Sequence, residues 1–347
     1  MSNKMRVGAI MAPGQARVVE VEKLKPAFGE VLVRIHACAL CTWEQRVFTG
    51  VKKVPLPYVG GHEIAGEIAE VGAGNLSKWK VGDKVTVRTL AHCGECYYCQ
   101  QGEDNLCEQI GKLPRPIPEI EGIGGLSEYL IAKPSQLFRL SQDLDYSIGA
   151  FSEPLACVIH SIEKARLKIG NDVVIVGAGI MGLLHLLVAK KLATRVIVCE
   201  VDEKRLELAR SFGADLVVNP KTEDAPAVIK SVTQGRGADA VFHTTAISKV
   251  AEEAFQMAGK MGRVILYGSF YPDEPICVSP NHIHNSQVEL TGSVSPATED
   301  FLKASRLLNF GIIDPTPLIH AEIELKDIQK AFELASDPNT FRVIIKM

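Results

Sequence analysis

Four closely spaced cysteines give this sequence its strongest chemical signal. They follow the pattern C-x2-C-x2-C-x7-C and are Cys93, Cys96, Cys99 and Cys107. Gly94 and Gly102 lie among them and permit the turns that aim four thiolates at one tetrahedral ion. An iron–sulfur cluster is the main alternative, but the x7 gap departs from the ferredoxin pattern. The segment therefore predicts a structural zinc site.

A second, smaller set of metal-binding side chains comes earlier in the chain. Cys41 and His62, the latter in the triplet Gly61-His62-Glu63, lie too far away in sequence to be ligands of the four-cysteine site. A zinc ion with so few protein donors keeps one position open for substrate, as catalytic zinc ions do. These residues therefore predict a catalytic zinc site.

A glycine-rich turn predicts a nucleotide site. Its motif, G-A-G-I-M-G, comprises Gly177, Ala178, Gly179, Ile180, Met181 and Gly182. It follows an apolar, strand-like run and opens a predicted helix. Its glycines therefore permit a tight turn, the approach of a pyrophosphate to backbone N–H groups, and close packing of helix on strand. The alternative interpretation is that the motif only packs the helix against the strand and binds no nucleotide.

An acidic residue after the next predicted strand favours NAD as that nucleotide. Glu200 follows Gly177 by 23 residues, close to the spacing at which a carboxylate binds the adenosine ribose hydroxyls. A carboxylate there would repel the 2′-phosphate of NADP. Lys204 and Arg205 follow closely, so the use of NADP stays open.

The elements that position these residues fall into two parts. Short β-rich runs broken by proline and glycine extend from Arg6 to about residue 150 and predict a mostly β domain. From Asp172 onward, strands and helices alternate, which predicts a doubly wound parallel sheet and an α/β fold. These elements are predicted at residues 173–176, 183–192, 196–199, 202–212, 238–242, 249–261 and 264–267. The segment from about 296 to 347 is predicted to return to the first domain.

Composition restricts the function classes. A chain of 347 residues with 46% hydrophobic content is long enough for about two domains. The net charge of −3 and the lack of a basic block give no reason to expect nucleic acid or an anionic membrane as a partner. The longest apolar run, residues 173–189, is too short and too interrupted by glycine for a membrane span. Nine cysteines, four of them at metal spacing, and no recognisable leader favour a reducing cytoplasm.

The order of these motifs resembles that of the zinc-containing medium-chain alcohol dehydrogenases over essentially the whole chain. The resemblance implies a β-rich, GroES-like, zinc-binding catalytic domain at residues 1–150 and 296–347, and an NAD-binding Rossmann domain at 151–295. It also implies a homodimer or homotetramer, which the strand near residues 288–293 would join.

One segment resembles the polyol branch of that family, which includes sorbitol, galactitol phosphate and butanediol dehydrogenases. In the sequence Phe151-Ser-Glu153-Pro-Leu, Glu153 stands where classical alcohol dehydrogenases have a third catalytic cysteine. The resemblance implies that Glu153 binds zinc directly or through water, and that Glu63 enters the metal shell when a position is vacant. It implies that Glu44 orients His62, although Glu44 could also be a surface charge.

The resemblance breaks at the proton relay. The family has Ser or Thr two residues after the catalytic cysteine, whereas this chain has Trp43, whose indole N–H cannot accept a proton. Arg46 stands where related enzymes often have a histidine. Thr42, a bound water, or Glu63 or Glu153 acting as base would then replace the usual path. Trp43 could instead be a platform for substrate, the cap of an apolar pocket, or plain packing.

The resemblance implies further contacts with the cofactor. These are assigned to Arg205, Tyr267, Val294, Ser295 and Arg342. Arg342, before the last predicted strand, occupies a position where the family often has a basic residue near the cofactor phosphates. A solvated surface charge is the alternative for Arg342.

The sequence therefore predicts a zinc-dependent oxidoreductase. It would transfer hydride between NAD and a secondary alcohol, such as a polyol, a sugar alcohol or a related hydroxylated compound, and give a ketone, with zinc as the Lewis acid. One alternative is a dehydrogenase or reductase for an apolar alcohol or aldehyde. Another is a zinc-stabilised nucleotide-binding regulatory protein that lacks turnover, although intact Cys41, His62 and Glu153 argue against it.

Overall fold

The computed structural model describes residues 3–75, 78–112, 116–118, 120–192 and 195–347. These residues divide into two compact units. Unit 1 comprises Met1–Ala156 and Pro296–Met347, and unit 2 comprises Cys157–Ser295.

The described residues form fifteen strands and eleven α-helices. The strands are β1 Lys4–Ala12, β2 Gln15–Glu22, β3 Val31–Ala39, β4 Glu63–Val71, β5 Lys84–Val87, β6 Tyr129–Ala132, β7 Leu137–Arg139, β8 Asp172–Val176, β9 Arg195–Cys199, β10 Leu216–Val218, β11 Ala238–His243, β12 Ala258–Leu266, β13 Glu289–Gly292, β14 Ile319–Glu324 and β15 Arg342–Lys346. The helices are α1 Thr42–Phe48, α2 Tyr97–Gln100, α3 Tyr146–Gly149, α4 Ser152–Lys164, α5 Ile180–Lys191, α6 Glu203–Ser211, α7 Ala225–Val232, α8 Ser248–Met257, α9 Pro280–Ser286, α10 Thr298–Asn309 and α11 Ile328–Ala335. Short 3-10 turns cover Asp104–Leu106, Pro134–Gln136, Thr316–Leu318 and Leu325–Asp327.

Unit 1 is built on a mixed sheet in the order β14-β15-β3-β4-β5-β7, with β6 also paired to β3. The strands β1 and β2 form a separate antiparallel pair. The last strand of the chain, β15, pairs antiparallel with β3, and Ile344 lies opposite Ala39. One apolar core joins the two sheets and α11, and Ile10, Val33 and Phe332 are among its fully buried members.

Unit 2 is built on a six-stranded parallel sheet in the order β10-β9-β8-β11-β12-β13. Every residue of β8 is buried, as expected for a central strand of a parallel sheet. The strand order reverses between β9 and β11, on either side of β8, and ligands of such folds bind beyond the carboxyl end of the strands at this place. The mixed sheet of unit 1 and the parallel sheet of unit 2 confirm the predicted α/β fold class.

One predicted boundary is wrong. The helix expected at residues 249–261 ends at Met257, and β12 begins at Ala258. Glycines explain the early end, because a Cβ at Gly259 would lie 2.5 Å from the backbone oxygen of Arg236. Only a strand that lacks a side chain there can pass so close to the neighbouring backbone.

No helix in the described part of the chain is long and apolar enough to cross a membrane.

Candidate active site

Two neighbouring strands of unit 1 bring the first set of metal-binding side chains together. β3 ends at Ala39 and β4 begins at Glu63, and these two residues lie opposite each other in the antiparallel ladder. Cys41 therefore follows one strand at the place where His62 precedes the other. Gly61 has φ of +89°, and a Cβ there would lie 2.6 Å from the backbone nitrogen of Leu126, so the turn before His62 requires glycine.

The side chains of Cys41, His62 and Glu63 converge. Their ligand atoms all lie within 4.8 Å of one another. Glu63 is buried, and its Oε1 forms an ion pair with Arg342, while its Oε2 has no hydrogen-bond partner among the described residues. A thiolate, an imidazole and a carboxylate form a donor set that fits zinc.

Glu44 fixes the orientation of His62. Its Oε1 lies 2.9 Å from Nδ1 of His62 and accepts a second hydrogen bond, also of 2.9 Å, from the backbone N–H of Gly61. Glu44 is fully buried, which excludes its reading as a surface charge. Burial opposes its ionisation, but His62 and the N–H of Gly61 outweigh burial and lower the pKa of Glu44. Because Nδ1 is engaged, Nε2 is the nitrogen of His62 that is left for a metal.

Arg342 lies beside Glu63. Its guanidinium is 3.0 Å from Oε1 of Glu63, donates to the backbone oxygen of Leu40 at 2.9 Å, and is almost fully buried. Burial raises the pKa of Glu63 to about 7; Arg342 opposes this rise, and the charge of Glu153 adds to it. The structure thus places Arg342 in unit 1, next to the candidate metal ligands, and its contact with cofactor phosphates stays a prediction.

Glu153 is not one of the three converging donors. It is the second residue of α4, it is buried, and its carboxylate is not within the group formed by Cys41, His62 and Glu63. Its charge still acts on Glu63. It lines a small pocket of unit 1 together with Arg88, Thr89, Leu90, Pro296 and Phe301.

Trp43 occupies the relay position in the first turn of α1. Its indole N–H donates to Oη of Tyr58 at 3.2 Å, and 36% of the residue is exposed. The ammonium group of Lys52 lies 3.9 Å from the centre of the Trp43 ring. Thr42, the first residue of the helix, is exposed. Sequence reasoning did not identify Lys52 and Tyr58, because a lysine in a loop and a lone tyrosine carry no motif.

The four cysteines of the second metal set also converge. Their sulfur atoms lie within 4.8 Å of one another, and none of them forms a disulfide. Backbone N–H groups point at the sulfurs: Cys96 donates to Cys93, and both Cys93 and Gln109 donate to Cys107. Such donors stabilise thiolates, and the backbone N–H of Cys99 lowers the pKa of Cys96. Four sulfurs with these donors fit a structural zinc ion.

A buried ionic network ties this cysteine segment to the rest of unit 1. Asp104 lies between the third and fourth cysteines, and its carboxylate is 3.1 Å from the guanidinium of Arg88. It also accepts, at 3.1 Å, from the backbone N–H of Thr298 at the start of α10. Both charged side chains are buried. Sequence reasoning missed this network, which joins residues 194 positions apart.

In unit 2, the glycine-rich motif forms the turn between β8 and α5. Gly177 has φ of +101°, and a Cβ at Gly182 would lie 1.9 Å from the backbone oxygen of Gly177. Gly179 precedes the first residue of α5, and the N–H groups in the first turn of a helix can receive a phosphate. Thr244 and Thr245, which follow β11, pack against Gly177. Sequence reasoning missed these two threonines, although they directly follow a predicted strand.

Glu200 is held beside this turn. Its Oε2 accepts from the backbone N–H of Ala178 at 2.8 Å, and its Oε1 accepts from the N–H of Val201 at 2.7 Å. A guanidinium nitrogen of Arg205 lies 3.9 Å from the point where a Cβ of Gly179 would be. The glycine turn, Glu200 and Arg205 therefore lie together at the carboxyl end of β8 and β9.

The other predicted cofactor residues of unit 2 are spread over the sheet. Ile180 and Met181 form the start of α5. Tyr267 follows β12 and meets the ring of His185 edge-on, with 4.8 Å between ring centres. Val294 and Ser295 follow β13; Val294 is exposed and Ser295 has φ of +50°.

Comparisons with known proteins match both units. The profile of the alcohol dehydrogenase GroES-like domain matches residues 27–142, and that of zinc-binding dehydrogenases matches residues 181–309. D-arabitol-phosphate dehydrogenase of Enterococcus avium is 31% identical over 100% of this chain and 98% of its own. Sorbitol dehydrogenase of Bacillus subtilis is 30% identical over 88% and 86%. A zinc-binding dehydrogenase from Sinorhizobium meliloti, solved with NADP, superposes with a TM-score of 0.90 at 25% identity over 100% of both chains.

Proposed function

Because the chain belongs to the zinc-containing medium-chain alcohol dehydrogenases, in their polyol branch, we propose that it transfers hydride between a secondary alcohol and NAD, giving a ketone. The alcohol would be a polyol, a sugar alcohol or a related hydroxylated compound. One observation carries this proposal: Cys41, His62 and Glu63 present a thiolate, an imidazole and a carboxylate within 4.8 Å of one another.

Two sets of residues would hold the zinc ions. Cys41, His62 and Glu63 would hold the catalytic ion, and the four-cysteine segment would hold the structural ion. Glu153 is proposed from the family resemblance as a further carboxylate ligand of the catalytic ion, directly or through water. Held there, the catalytic ion would supply Lewis acidity toward the substrate hydroxyl, and bound NAD would supply a hydride acceptor. Glu44 keeps Nε2 of His62 aimed at the metal position through the hydrogen bond to Nδ1.

The hydroxyl proton needs an acceptor other than Trp43. The indole N–H of Trp43 is a donor only and is directed at Tyr58. Candidate acceptors are the hydroxyl of Thr42 and the carboxylates of Glu63 and Glu153. We propose that one of them, directly or through water, replaces the relay of the family.

NAD is proposed as the preferred cofactor. Glu200, fixed beside the glycine turn by the backbone N–H groups of Ala178, Val201 and Asp202, places a carboxylate where it would repel a 2′-phosphate. Arg205 lies at the same turn and would still admit NADP. Comparing kcat/KM for the two cofactors tests this proposal, and a preference for NADP would contradict it.

Domain bounds, assembly and compartment are also proposed here. We assign residues 1–150 and 296–347 to the catalytic domain and 151–295 to the cofactor domain. A homodimer or homotetramer would form through β13, which is the edge strand of its sheet. Nine cysteines without a disulfide suit the reducing cytoplasm.

The two alternatives have less support. A dehydrogenase for an apolar alcohol would need an apolar wall at Trp43, whereas the ammonium of Lys52 lies on that ring. A protein without turnover would not need the catalytic donors of Cys41, His62 and Glu63, which converge here.

Cysteine substitutions test the proposed function. Replacing Cys41 with alanine should abolish polyol oxidation while the fold is kept, because the residue is a metal donor in a short loop. The matched change, Cys107→Ala, should mainly lower the free energy of unfolding, because its ion ties a segment together. Steady-state oxidation of a polyol and urea unfolding measure the two effects, and unchanged turnover in Cys41→Ala would contradict the mechanism.

A further inference from the structure

One buried histidine holds the loop that follows a central strand of the parallel sheet in unit 2. His243 is the last residue of β11, and its side chain is fully buried. Its Nε2 lies 2.7 Å from Oγ1 of Thr245, and the ring of Phe270 stacks on the imidazole at an angle of 9°. Burial lowers the pKa of His243 to about 4, although hydrogen bonding with the backbone of Ile247 opposes this. A neutral imidazole therefore contacts both ends of the loop formed by residues 244–247.

This loop packs on the glycine turn of the proposed cofactor site. A Cβ at Gly177 would lie 2.8 Å from Cγ2 of Thr245 and 2.9 Å from Oγ1 of Thr244. The hydroxyl of Thr244 is used within the fold, because it donates to the backbone oxygens of Val176 at 2.9 Å and Gly177 at 3.2 Å. A Cβ at Gly268, after β12, would lie 3.3 Å from the backbone oxygen of Thr245. Thr245 therefore lies where β8, β11 and β12 end.

The order of the sheet separates Thr245 from Glu200. The strands β9 and β11 lie on opposite sides of β8, and the strand order reverses there. Dinucleotides bind across such a point, with one mononucleotide half on each side. Glu200 follows β9 and is proposed above to lie beside the adenosine ribose. The side of β11, where Thr245 lies, is therefore left for the nicotinamide half.

The hydroxyl of Thr245 is able to bind that half. A hydroxyl can donate one hydrogen bond and accept two, so the contact with His243 leaves it able to form another. Thr245 is partly exposed, whereas His243 is fully buried. Burying an imidazole costs free energy, and in the described part of the chain Thr245 is the side chain to which this imidazole is hydrogen-bonded. The buried ring therefore fixes the orientation of a hydroxyl that faces the crevice.

We propose that His243 is a positioning residue for the cofactor: it orients the hydroxyl of Thr245, which forms a hydrogen bond with an oxygen of the nicotinamide mononucleotide half of NAD. The proposal rests on the cofactor site proposed above at the glycine turn. The oxygens of this half belong to its phosphate, its ribose and its carboxamide. One hydrogen bond to any of them should change the Kd of the cofactor by about 3- to 10-fold.

Binding of NADH and of AMP to the zinc-loaded protein, measured by isothermal titration calorimetry, tests the proposal. Thr245→Val keeps the size of the side chain but removes the hydroxyl, so the Kd of NADH should rise about 3- to 10-fold. AMP lacks the nicotinamide half, and its Kd should stay within about 2-fold. Thr245→Ser is the matched control, because it keeps the hydroxyl and should retain most of the affinity for NADH. An unchanged Kd of NADH in Thr245→Val, or an equal loss for AMP, would overturn the proposal.

A double-mutant cycle shows whether His243 acts through Thr245. His243→Leu removes the hydrogen bond and should raise the Kd of NADH by about 3- to 10-fold. In the Thr245→Val background the same change should raise it by less than about 2-fold, because the hydroxyl that His243 orients is gone. His243→Gln, whose amide can replace Nε2, should keep most of the wild-type affinity. Equal losses from His243→Leu in both backgrounds would reveal a general structural effect and contradict the positioning role.

A third ligand assigns the acceptor oxygen. ADP-ribose keeps both phosphates and the second ribose of the dinucleotide but lacks nicotinamide. Its Kd should rise in Thr245→Val when the acceptor is a phosphate or ribose oxygen, and should stay constant when the acceptor is the carboxamide.

The same variants separate this proposal from the proposed reaction. Oxidation of a polyol, with a Kd of NADH that Thr245→Val leaves unchanged, contradicts the positioning role and leaves the reaction standing. Weaker binding of NADH in Thr245→Val, without oxidation of any alcohol by the wild-type protein, upholds the positioning role and contradicts the reaction.

Discussion

At the scale of single residues, Glu44 determines which ring nitrogen of His62 is available to a metal. A ring nitrogen that donates to a carboxylate cannot be a ligand, so the hydrogen bond to Nδ1 selects Nε2. The carboxylate is fully buried, so water cannot replace it when it is lost. Its second acceptor role, toward Gly61, also fixes the backbone just before the histidine.

Substituting Glu44 should therefore lower the affinity of the site for the catalytic zinc ion. Glu44→Gln keeps the shape but removes the charge, and the affinity for the catalytic zinc should fall about 10- to 100-fold. Glu44→Ala should in addition lower the free energy of unfolding by about 1–3 kcal/mol for each donor left without its partner. Competition with a chromophoric chelator measures zinc retention. Wild-type retention in Glu44→Gln would show that Glu44 does not position His62.

Two buried histidines of unit 2 have lowered pKa values. His185, on α5, is fully buried; its Nδ1 lies 2.7 Å from the backbone oxygen of Met181, and its Nε2 lies 2.9 Å from Oγ of Ser161. Burial lowers the pKa of His185 to about 4, from 6.5. Burial also lowers the pKa of His243 to about 4. Both side chains are therefore neutral in the folded protein near neutral pH.

These histidines should make the protein less stable in mild acid. In the unfolded chain, His185 takes up a proton below about pH 6.5, whereas in the folded protein it stays neutral until about pH 4. The contribution of neutral His185 to the free energy of unfolding is therefore complete above pH 6.5 and is lost as the pH falls toward 4. His185 should contribute a loss of about 2 kcal/mol at pH 5. Urea unfolding at neutral and acidic pH measures this loss. His185→Gln should flatten the dependence by about half, since His243 remains; an unchanged slope would contradict the assignment.

At the scale of elements, the register of β3 and β4 brings the catalytic donors together, and the ionic network of Asp104 anchors the cysteine segment. The backbone N–H of Thr298 and the guanidinium of Arg88 both meet the carboxylate of Asp104, so the segment is tied to the start of α10 and to the end of β5.

Removing one partner of the Arg88–Asp104 ion pair should lower the free energy of unfolding more than replacing both partners with apolar residues. Asp104→Ala leaves the buried guanidinium of Arg88 without its partner, and the free energy of unfolding should fall by about 3–5 kcal/mol. The double variant Arg88→Met, Asp104→Leu should lose much less, because no buried charge is left unpaired. Urea unfolding of Arg88→Met, of Asp104→Leu and of their double variant measures the coupling. Additive losses would contradict a coupled pair.

At the scale of the whole molecule, features that are local in sequence were predicted, and features that depend on tertiary contacts were not. The four cysteines and the glycine turn lie within short segments, so their spacing alone indicated how they come together. The parallel sheet of unit 2 followed from alternating strands and helices, which confirmed the fold class. Cys41 and His62 were predicted as donors of a second zinc site from their residue types, although 20 residues, among them those of α1, separate them. The order of the motifs added the family resemblance, which the comparisons confirmed.

Contacts that are set by the tertiary fold or by an unusual backbone conformation could not be predicted in this way. The contact of the Lys52 ammonium with the Trp43 ring lies next to a left-handed Gly50, and the contact between Asp104 and Thr298 depends on the whole path of the chain. The early end of α8 depends on the approach of Gly259 to Arg236, whereas the helical period continued in the sequence. Each of these features is determined by a neighbour that is distant in sequence or by a local backbone conformation. No residue spacing in the sequence indicates such a neighbour or conformation.

Metal content measured together with activity tests the central claim most directly. Zinc per chain would be determined alongside NAD-coupled oxidation of polyols, inositols, amino alcohols and simple alcohols, before and after treatment with a chelator. We predict two zinc ions per chain and polyol oxidation that the chelator abolishes and added zinc restores. One zinc ion per chain, with no oxidation of any alcohol, would leave the four-cysteine site standing and contradict the catalytic site built on Cys41, His62 and Glu63.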